Sequence, residues 1–256
     1  MKLWNKDDNL NIKIEKFTVG NDRINDLFLA EYDVIATIAH AKMLNKIDVL
    51  NKAELNNIIS ELNMILKDIE IGNFIIEDEY EDVHSKIESI LIKKLGKVGK
   101  KIHTGRSRND QVLVATQLYL KNEICEIKHL TKCLFDTLIE LAEKNKNLLL
   151  PGYTHLQVAM PSSFGLWFSS YAECLIDDVL YLNTAFKIND QNPLGSAAGF
   201  GSSFKIDRDF TTKELGFNEL KYNVISSQMN RGKVEKSVAI AIGSLASTLS
   251  KFSADI

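Results

Sequence analysis

Residues 111–145 read QVLVATQLYLKNEICEIKHLTKCLFDTLIELAEKN. Within them Leu113, Leu120, Ile124, Ile127, Leu130, Leu134, Leu138 and Leu141 recur mostly at steps of three and four. That spacing is the apolar stripe of one amphipathic helix, about 30 residues long. Downstream, Phe164, Phe168, Tyr171, Leu175, Val179, Leu182 and Phe186 step by 4, 3, 4, 4, 3 and 4. Farther on, Val238, Ile242, Leu245, Leu249, Phe252 and Ile256 step by 4, 3, 4, 3 and 4. Three long helices with seam-like stripes predict part of a helical bundle.

Shorter helices precede the long one. Asp22 to Lys46 carries Leu27, Ala30, Val34, Ile38 and Ala41 at helical spacing. A second helix is expected from Lys52 to Ile69, with Gly72 as its stop. A third is expected to begin in the acidic run Glu77–Asp82 and to end at Lys93-Lys94-Leu95-Gly96, charges that suit the helix dipole. No β-type alternation of useful length stands out, and Pro151, Pro161 and Pro193 are the three prolines. The fold class is therefore all-α. An N-terminal helical domain over residues 1–106 is expected to lead into a central bundle over residues 107–256. The last stripe reaches Ile256 in phase without a glycine, a proline or a basic last turn, so the helix is expected to continue past it.

Composition excludes several classes. The chain has 256 residues, 45% hydrophobic and 25% charged, with a formal net charge of −3. That is globular composition without the basic excess of a nucleic-acid binder. The start, Met1 to Leu10, is polar and unlike a signal peptide, and no apolar run approaches the ~20 residues of a membrane span. Cys125, Cys133 and Cys174 follow no metal-ligand spacing and lie in helix-periodic stretches, so they are expected to be reduced core residues. A soluble, cytoplasmic protein is expected.

Three polar loops interrupt the apolar pattern. Lys101 to Gln111 packs His103, Thr104, Arg106, Ser107, Arg108 and Asn109 directly before the long helix. Free N–H groups at that helix start, with arginine forks and hydroxyls, suit a carboxylate or phosphate. An elaborate N-cap with Ser107 or Asn109 fits the same residues. Gly152 to Gln157 holds His155, which suits either a general acid–base or a structural hydrogen bond. Pro193 to Ser203 holds three glycines, which suit close backbone approach to a ligand or a plain connection. It is no dinucleotide fingerprint, because Phe204 stands where the last glycine belongs. His84 lies four residues before Glu88, on one helical face, where a surface hydrogen bond is the simple account.

Taken together and in order, these segments resemble the argininosuccinate lyase family, within the fumarase–aspartase–argininosuccinate lyase superfamily. Lys101–Gln111 is similar to its most recognisable N-terminal motif, Gly152–Gln157 to its catalytic-histidine loop, and Pro193–Ala198 to its Pro-Leu-Gly-Ser loop. Glu81–Glu88 is similar to its Glu-Asp-x-His-x-x-x-Glu segment. The resemblance covers nearly the whole chain. It departs at the start, where Leu3-Trp4 leads into Asn5-Lys6-Asp7 rather than Gly-Gly-Arg-Phe, with Lys16-Phe17-Thr18 the nearest equivalent. It departs again where Arg231 remains of an Asp-Arg-Asp segment. The superfamily's signature loop, which holds a serine assigned as base and a substrate-binding lysine, is not in this sequence.

The resemblance implies cleavage of argininosuccinate to arginine and fumarate by acid–base elimination, with no metal or organic cofactor. It implies His155 as the acid–base group, serving the leaving nitrogen. It implies Asn109 and Thr154 as binders of substrate carboxylates, Ser107 and Arg108 as shapers of the same anion site, and His84 as support at its edge. A homotetramer is implied, with no nucleic-acid or membrane partner. Two alternatives stand beside it: a non-catalytic homologue of the same fold, and another fumarate-releasing lyase such as adenylosuccinate lyase. The Thr104–Asp110 run argues against the second.

Overall fold

The computed structural model describes residues 12–256. Leu3-Trp4 and Asn5-Lys6-Asp7 lie outside them. In chain order come α1 (Ile12–Val19), α2 (Asp22–Asn25), a 3-10 helix (Asp26–Leu29), α3 (Ala30–Lys46) and α4 (Lys52–Glu70). Next are α5 (Val83–Leu95), α6 (Lys97–Lys101), α7 (Arg108–Asn145), β1 (Leu149–Thr154), β2 (Gln157–Ser163) and α8 (Phe164–Asn189). The last are β3 (Gln191–Asn192), α9 (Arg208–Glu214), β4 (Glu219–Leu220), α10 (Val224–Met229) and α11 (Lys233–Asp255). The protein is helical, with short strands, as the periodicity predicts.

Two compact units share the chain: Met1–Tyr119 with Asp190–Arg231, and Leu120–Asn189 with Gly232–Ile256. The expected single cut after residue 106 differs from this division, because each unit draws on two separated segments. Periodicity reports how a segment is shaped, not which distant segment it joins.

The first unit is built on α3, α4 and α5. A capping box starts α4: Asn51 Oδ1 accepts the Glu54 N–H at 2.9 Å, and Glu54 Oε2 accepts the Asn51 N–H at 2.9 Å. Leu55, Ile58, Leu62 and Ile65 then form one buried face against Val34, Leu44, Ile87 and Leu91. Each such burial stabilises by roughly 1.5–3 kcal/mol. The periodic stretch from Asp22 is not one helix, since the 3-10 turn breaks it. There the Asp26 carboxylate accepts the Val83 N–H at 3.2 Å. The third helix starts after the acidic run rather than within it. Asp82 is its cap, accepting the Ser85 N–H at 2.7 Å, while Glu77 bonds Lys86 Nζ at 2.7 Å. A tight reversal at Gly96 brings α6 so close to α5 that a Cβ on Gly99 would lie 2.3 Å from the Leu91 carbonyl oxygen.

The second unit packs Ile124 and Leu138 of α7, Leu175 and Leu182 of α8, and Val238, Ala241 and Leu245 of α11 into one core. Trp167 meets Tyr171 edge to face, and Tyr171 meets Phe252 at a tilt with centroids 5.0 Å apart. Gly165 lets α8 pass the end of α7: a Cβ there would lie 2.7 Å from the Ala142 carbonyl oxygen. Cys125, Cys133 and Cys174 are free and exposed, against the expectation of core positions. They share helices with the stripe but lie on faces that the unit leaves uncovered. By length and composition alone α11 would reach across a membrane, against the expectation from the sequence. Its buried residues nonetheless pack on α8, as in a bundle helix.

Between α7 and α8, β1 and β2 pair as an antiparallel hairpin where a loop was expected. The prolines concealed it. Pro151 and Pro161 face each other across the ribbon, a position tolerated because both strands of a two-stranded sheet are edges. His155 and Leu156 form the two-residue turn with φ of 50° and 64°, the left-handed pair of a type I′ turn. Such turns favour Asn-Gly, and a left-handed leucine costs about 1–2 kcal/mol. Leu156 is 98% exposed, so no packing in this chain offsets that strain. Leu156→Gly is therefore expected to stabilise the unit by roughly 1 kcal/mol, after allowing for glycine's freedom when unfolded. Thermal unfolding should show the midpoint rising by a few degrees; a midpoint unchanged or lower would mean that the turn is not strained.

Candidate functional site

A polar stripe runs through the apolar helix α3. Asp33, Thr37 and His40 step by four and three and are all buried. They face the segment between α6 and α7. Arg106 Nη2 donates to Thr37 Oγ1 at 2.9 Å and lies 3.4 Å from Asp33 Oδ1. Gln111 Nε2 donates to Asp33 Oδ1 at 3.0 Å. His84 of α5 brings Nδ1 to 2.9 Å from the same oxygen. His40 Nε2 donates to the Thr104 carbonyl at 3.0 Å, which assigns the proton to Nε2 because a carbonyl only accepts. The polar loop is thus fastened from behind at Thr104, Arg106 and Gln111.

This fastening sets the surroundings of several expected site residues. His84 is expected as support at the edge of the site, on one helical face with Glu88. Its ring is instead 1% exposed and turned to Asp33. Glu88 lies 3.6 Å from His103 Nδ1 and 4.0 Å from Arg108 Nη2. Arg108 also donates to Ser85 Oγ at 3.3 Å and approaches Asp82 at 3.4 Å. Its guanidinium is thereby held among acidic groups. Arg106, expected only as one of two loop arginines, is the buried one.

At the front of the loop, Ser107 precedes α7 as its cap. Asp110 Oδ1 accepts the Ser107 N–H at 2.9 Å, and Ser107 Oγ accepts the Asn109 N–H at 3.3 Å. Asn109 is exposed, and its carbonyl accepts from Arg231 Nη2 at 3.4 Å. The loop therefore ends in an N-cap, with Asn109 exposed at the start of α7.

The glycine-bearing loop lies against the same helix start. Asp110 Oδ2 accepts the N–H groups of Gly195 and Ala197, each at 2.9 Å. Ser196 is buried, and its Oγ accepts from Gln228 Nε2 at 3.0 Å. Gly105 has φ +68°, and a Cβ there would lie 3.0 Å from Ile206 Cγ2. The glycines thus serve the approach of one loop to another, and the Gly195 and Ala197 amides face a side chain.

Thr154 and His155 belong to the hairpin tip of the other unit, and both are exposed. Four of the expected residues, His84, Ser107, Arg108 and Asn109, are gathered around the α7 start. Asp33, His40 and Asp110 escaped the sequence reading. A signal was available for two of them: polar residues repeating at four and three inside an apolar stripe mark a buried polar seam.

A family model described as Lyase matches residues 4–256. The argininosuccinate lyase of Bacteroides fragilis is 54% identical over 254 residues, covering 99% of this chain and 57% of its own length. That of Thermotoga neapolitana is 42% identical over 255 residues, covering 100% of this chain and 64% of its own. The chain thus spans a little over half the length of these relatives. Among solved structures, an EDDS lyase in complex with formate aligns with a TM-score of 0.80 and 22% identity, covering 94% of this chain and 48% of that one. A fumarate lyase:delta crystallin from Brucella melitensis bound to cobalt aligns with a TM-score of 0.79 and 18% identity, covering 94% and 58%. At these identities the structural likeness concerns the fold.

Burial sets the electrostatics of the fastening. It works against an ionised Asp33, but the charge and hydrogen bond of His84, then Arg106 and Gln111, outweigh it and hold the carboxyl down at about 2. For His40, burial and the charge of Arg106 outweigh the Thr104 carbonyl and press the imidazole down to about 3. An unfolded His40 titrates near 6.5, so between that value and about 3 the unfolded chain binds a proton that the folded one refuses. Stability therefore falls as pH drops through this window, by up to about 1.4 kcal/mol per pH unit for this one group. Asp33 adds loss in the same direction, but only below its unfolded value of 3.8. Denaturant titrations at stepped pH should show a slope between pH 6 and 4 that His40→Gln flattens; an equal slope in the variant would sink this assignment.

Proposed function

The chain belongs to the lyase family, and on that premise we propose that it acts in the cleavage of argininosuccinate to arginine and fumarate. The likeness of nearly its whole length to proteins named argininosuccinate lyase carries this reading. The residues around the α7 start supply the chemistry that makes it specific. Ser107 and Asn109, at the positive end of the dipole of a 38-residue helix, suit a substrate carboxylate. Arg108, held by Asp82 and Glu88, shapes the site through its neighbours. His84, turned to Asp33, supports the loop rather than touching substrate.

The elimination requires a base to remove the proton from the carbon next to a carboxylate. The electron pair left there forms the new C=C bond of fumarate as the C–N bond breaks. The departing guanidino nitrogen takes a proton from an acid. The carboxylate that gathers charge meanwhile needs fixed donors. We assign the proton transfer at the leaving nitrogen to His155, with Thr154 as a carboxylate ligand. The exposed hairpin tip, which presents both residues outward, supports the assignment. Homotetramer formation and a cytoplasmic setting belong to the same proposal. Exposed apolar residues on the second unit's helices, Leu166, Ile176, Leu180 and Ile240 among them, suit burial against further helices.

The test is fumarate release from argininosuccinate, followed by ultraviolet absorbance, with protein from the complete reading frame. Release is expected, with kcat lowered at least about a hundredfold in His155→Asn, the usual worth of general acid–base catalysis. A folded protein that releases no fumarate overturns the enzyme reading and favours a non-catalytic homologue. Full activity in His155→Asn would remove that residue from the chemistry.

A further inference from the structure

We propose that Asp110 is a positioning residue, which locks the Ser107–Asn109 loop and the Gly195–Ala197 loop into one preset carboxylate-binding surface. The inference rests on the reading above, in which Ser107 and Asn109 meet a substrate carboxylate.

The geometry goes beyond what a helix cap requires. A cap carboxylate at this position needs to accept the Ser107 N–H, and Oδ1 does so. Oδ2 is turned the other way, into the second loop, where it accepts from Gly195 and Ala197 at 2.9 Å each. The residue is 0% exposed, so water does not substitute for these donors. A buried carboxylate is tolerated only when its lone pairs are met, and here backbone N–H groups of two loops meet them. Ala197 sits in the left-handed region at φ +52°, strain that its bond to Oδ2 holds in place. Gln228 Nε2 reinforces the second loop by donating to Ser196 Oγ and to the Ala197 carbonyl.

An asparagine at this position keeps the shape but not the function. Its amide nitrogen would face an N–H donor, and its single oxygen cannot meet both loops. The Ser107–Asn109 segment at the α7 start would then lose its fixed place relative to the Gly195–Ala197 loop. Interactions made equally with substrate and transition state would weaken, which raises KM and spares kcat. His155 lies in another segment, so the proton transfer assigned to it gives the opposite pattern. That contrast separates positioning from catalysis, and from a general loss of folded protein.

Steady-state kinetics on Asp110→Asn, in protein from the complete reading frame, should show KM for argininosuccinate raised at least about tenfold, with kcat within roughly threefold of the unsubstituted protein. An unchanged KM, or a fall confined to kcat, overturns the proposal. Amide hydrogen exchange on the unsubstituted protein covers the case in which the variant fails to fold. Ser107, Gly195 and Ala197 should be protected and exchange through one common opening. Unprotected or independent exchange at these amides overturns the lock. If the unsubstituted protein releases no fumarate, the functional reading fails by itself. The exchange result then still decides whether Asp110 joins the loops.

Discussion

One buried carboxylate organises the first unit. Asp33, 0% exposed, draws His84 from α5, Arg106 from the loop and Gln111 from α7 toward a single helix, α3. Removing Arg106 takes a positive charge from beside this carboxylate in a low-dielectric interior, where a poorly compensated ion costs several kcal/mol. The apolar faces of α3, α4 and α5 bring these helices together, but apolar contact is non-directional. The ionic seam supplies direction, because it is satisfied only when α3, α5 and the α7 start stand in one relation. The exposed front of the loop, with Ser107 and Asn109, inherits its geometry from this concealed back.

The sequence reading succeeded where a single segment carries its own signal. The long stripes at 113–141, 164–186 and 238–256 became α7, α8 and α11, since an amphipathic period survives whatever the helix packs against. The reading failed where the answer depends on a distant partner. His84 reads as a surface residue until Asp33, fifty-one positions earlier, is placed beside it. The cysteines share helices with buried leucines, yet lie on another face. The hairpin was hidden because prolines normally argue against strands, and only the facing pair Pro151 and Pro161 shows why they are tolerated.

The three polar loops illustrate how a motif and its mechanics differ. Composition marks all three as candidates for ligand contact. Geometry divides the work among them: the loop before α7 presents side chains, the hairpin presents a histidine and a threonine on a strained turn, and the glycine loop wraps a neighbouring carboxylate. Glycine is needed in the third for φ values of +86° at Gly195 and +109° at Gly199. Those turns bring the Gly195 and Ala197 amides onto the Asp110 carboxylate.

The discontinuity of the first unit bears on how the chain acquires its structure. Asp110 meets donors 85 and 87 positions farther along, after the whole of α7, the hairpin and α8. During synthesis at the ribosome the α7 start emerges with a carboxylate whose partners do not yet exist. It stays hydrated until Gly195 and Ala197 arrive. Closing so long a loop adds little to the equilibrium cost, which grows only with the logarithm of its length, but contacts this remote slow folding. The contact between the two loops thus joins segments that leave the ribosome on either side of the intervening helices.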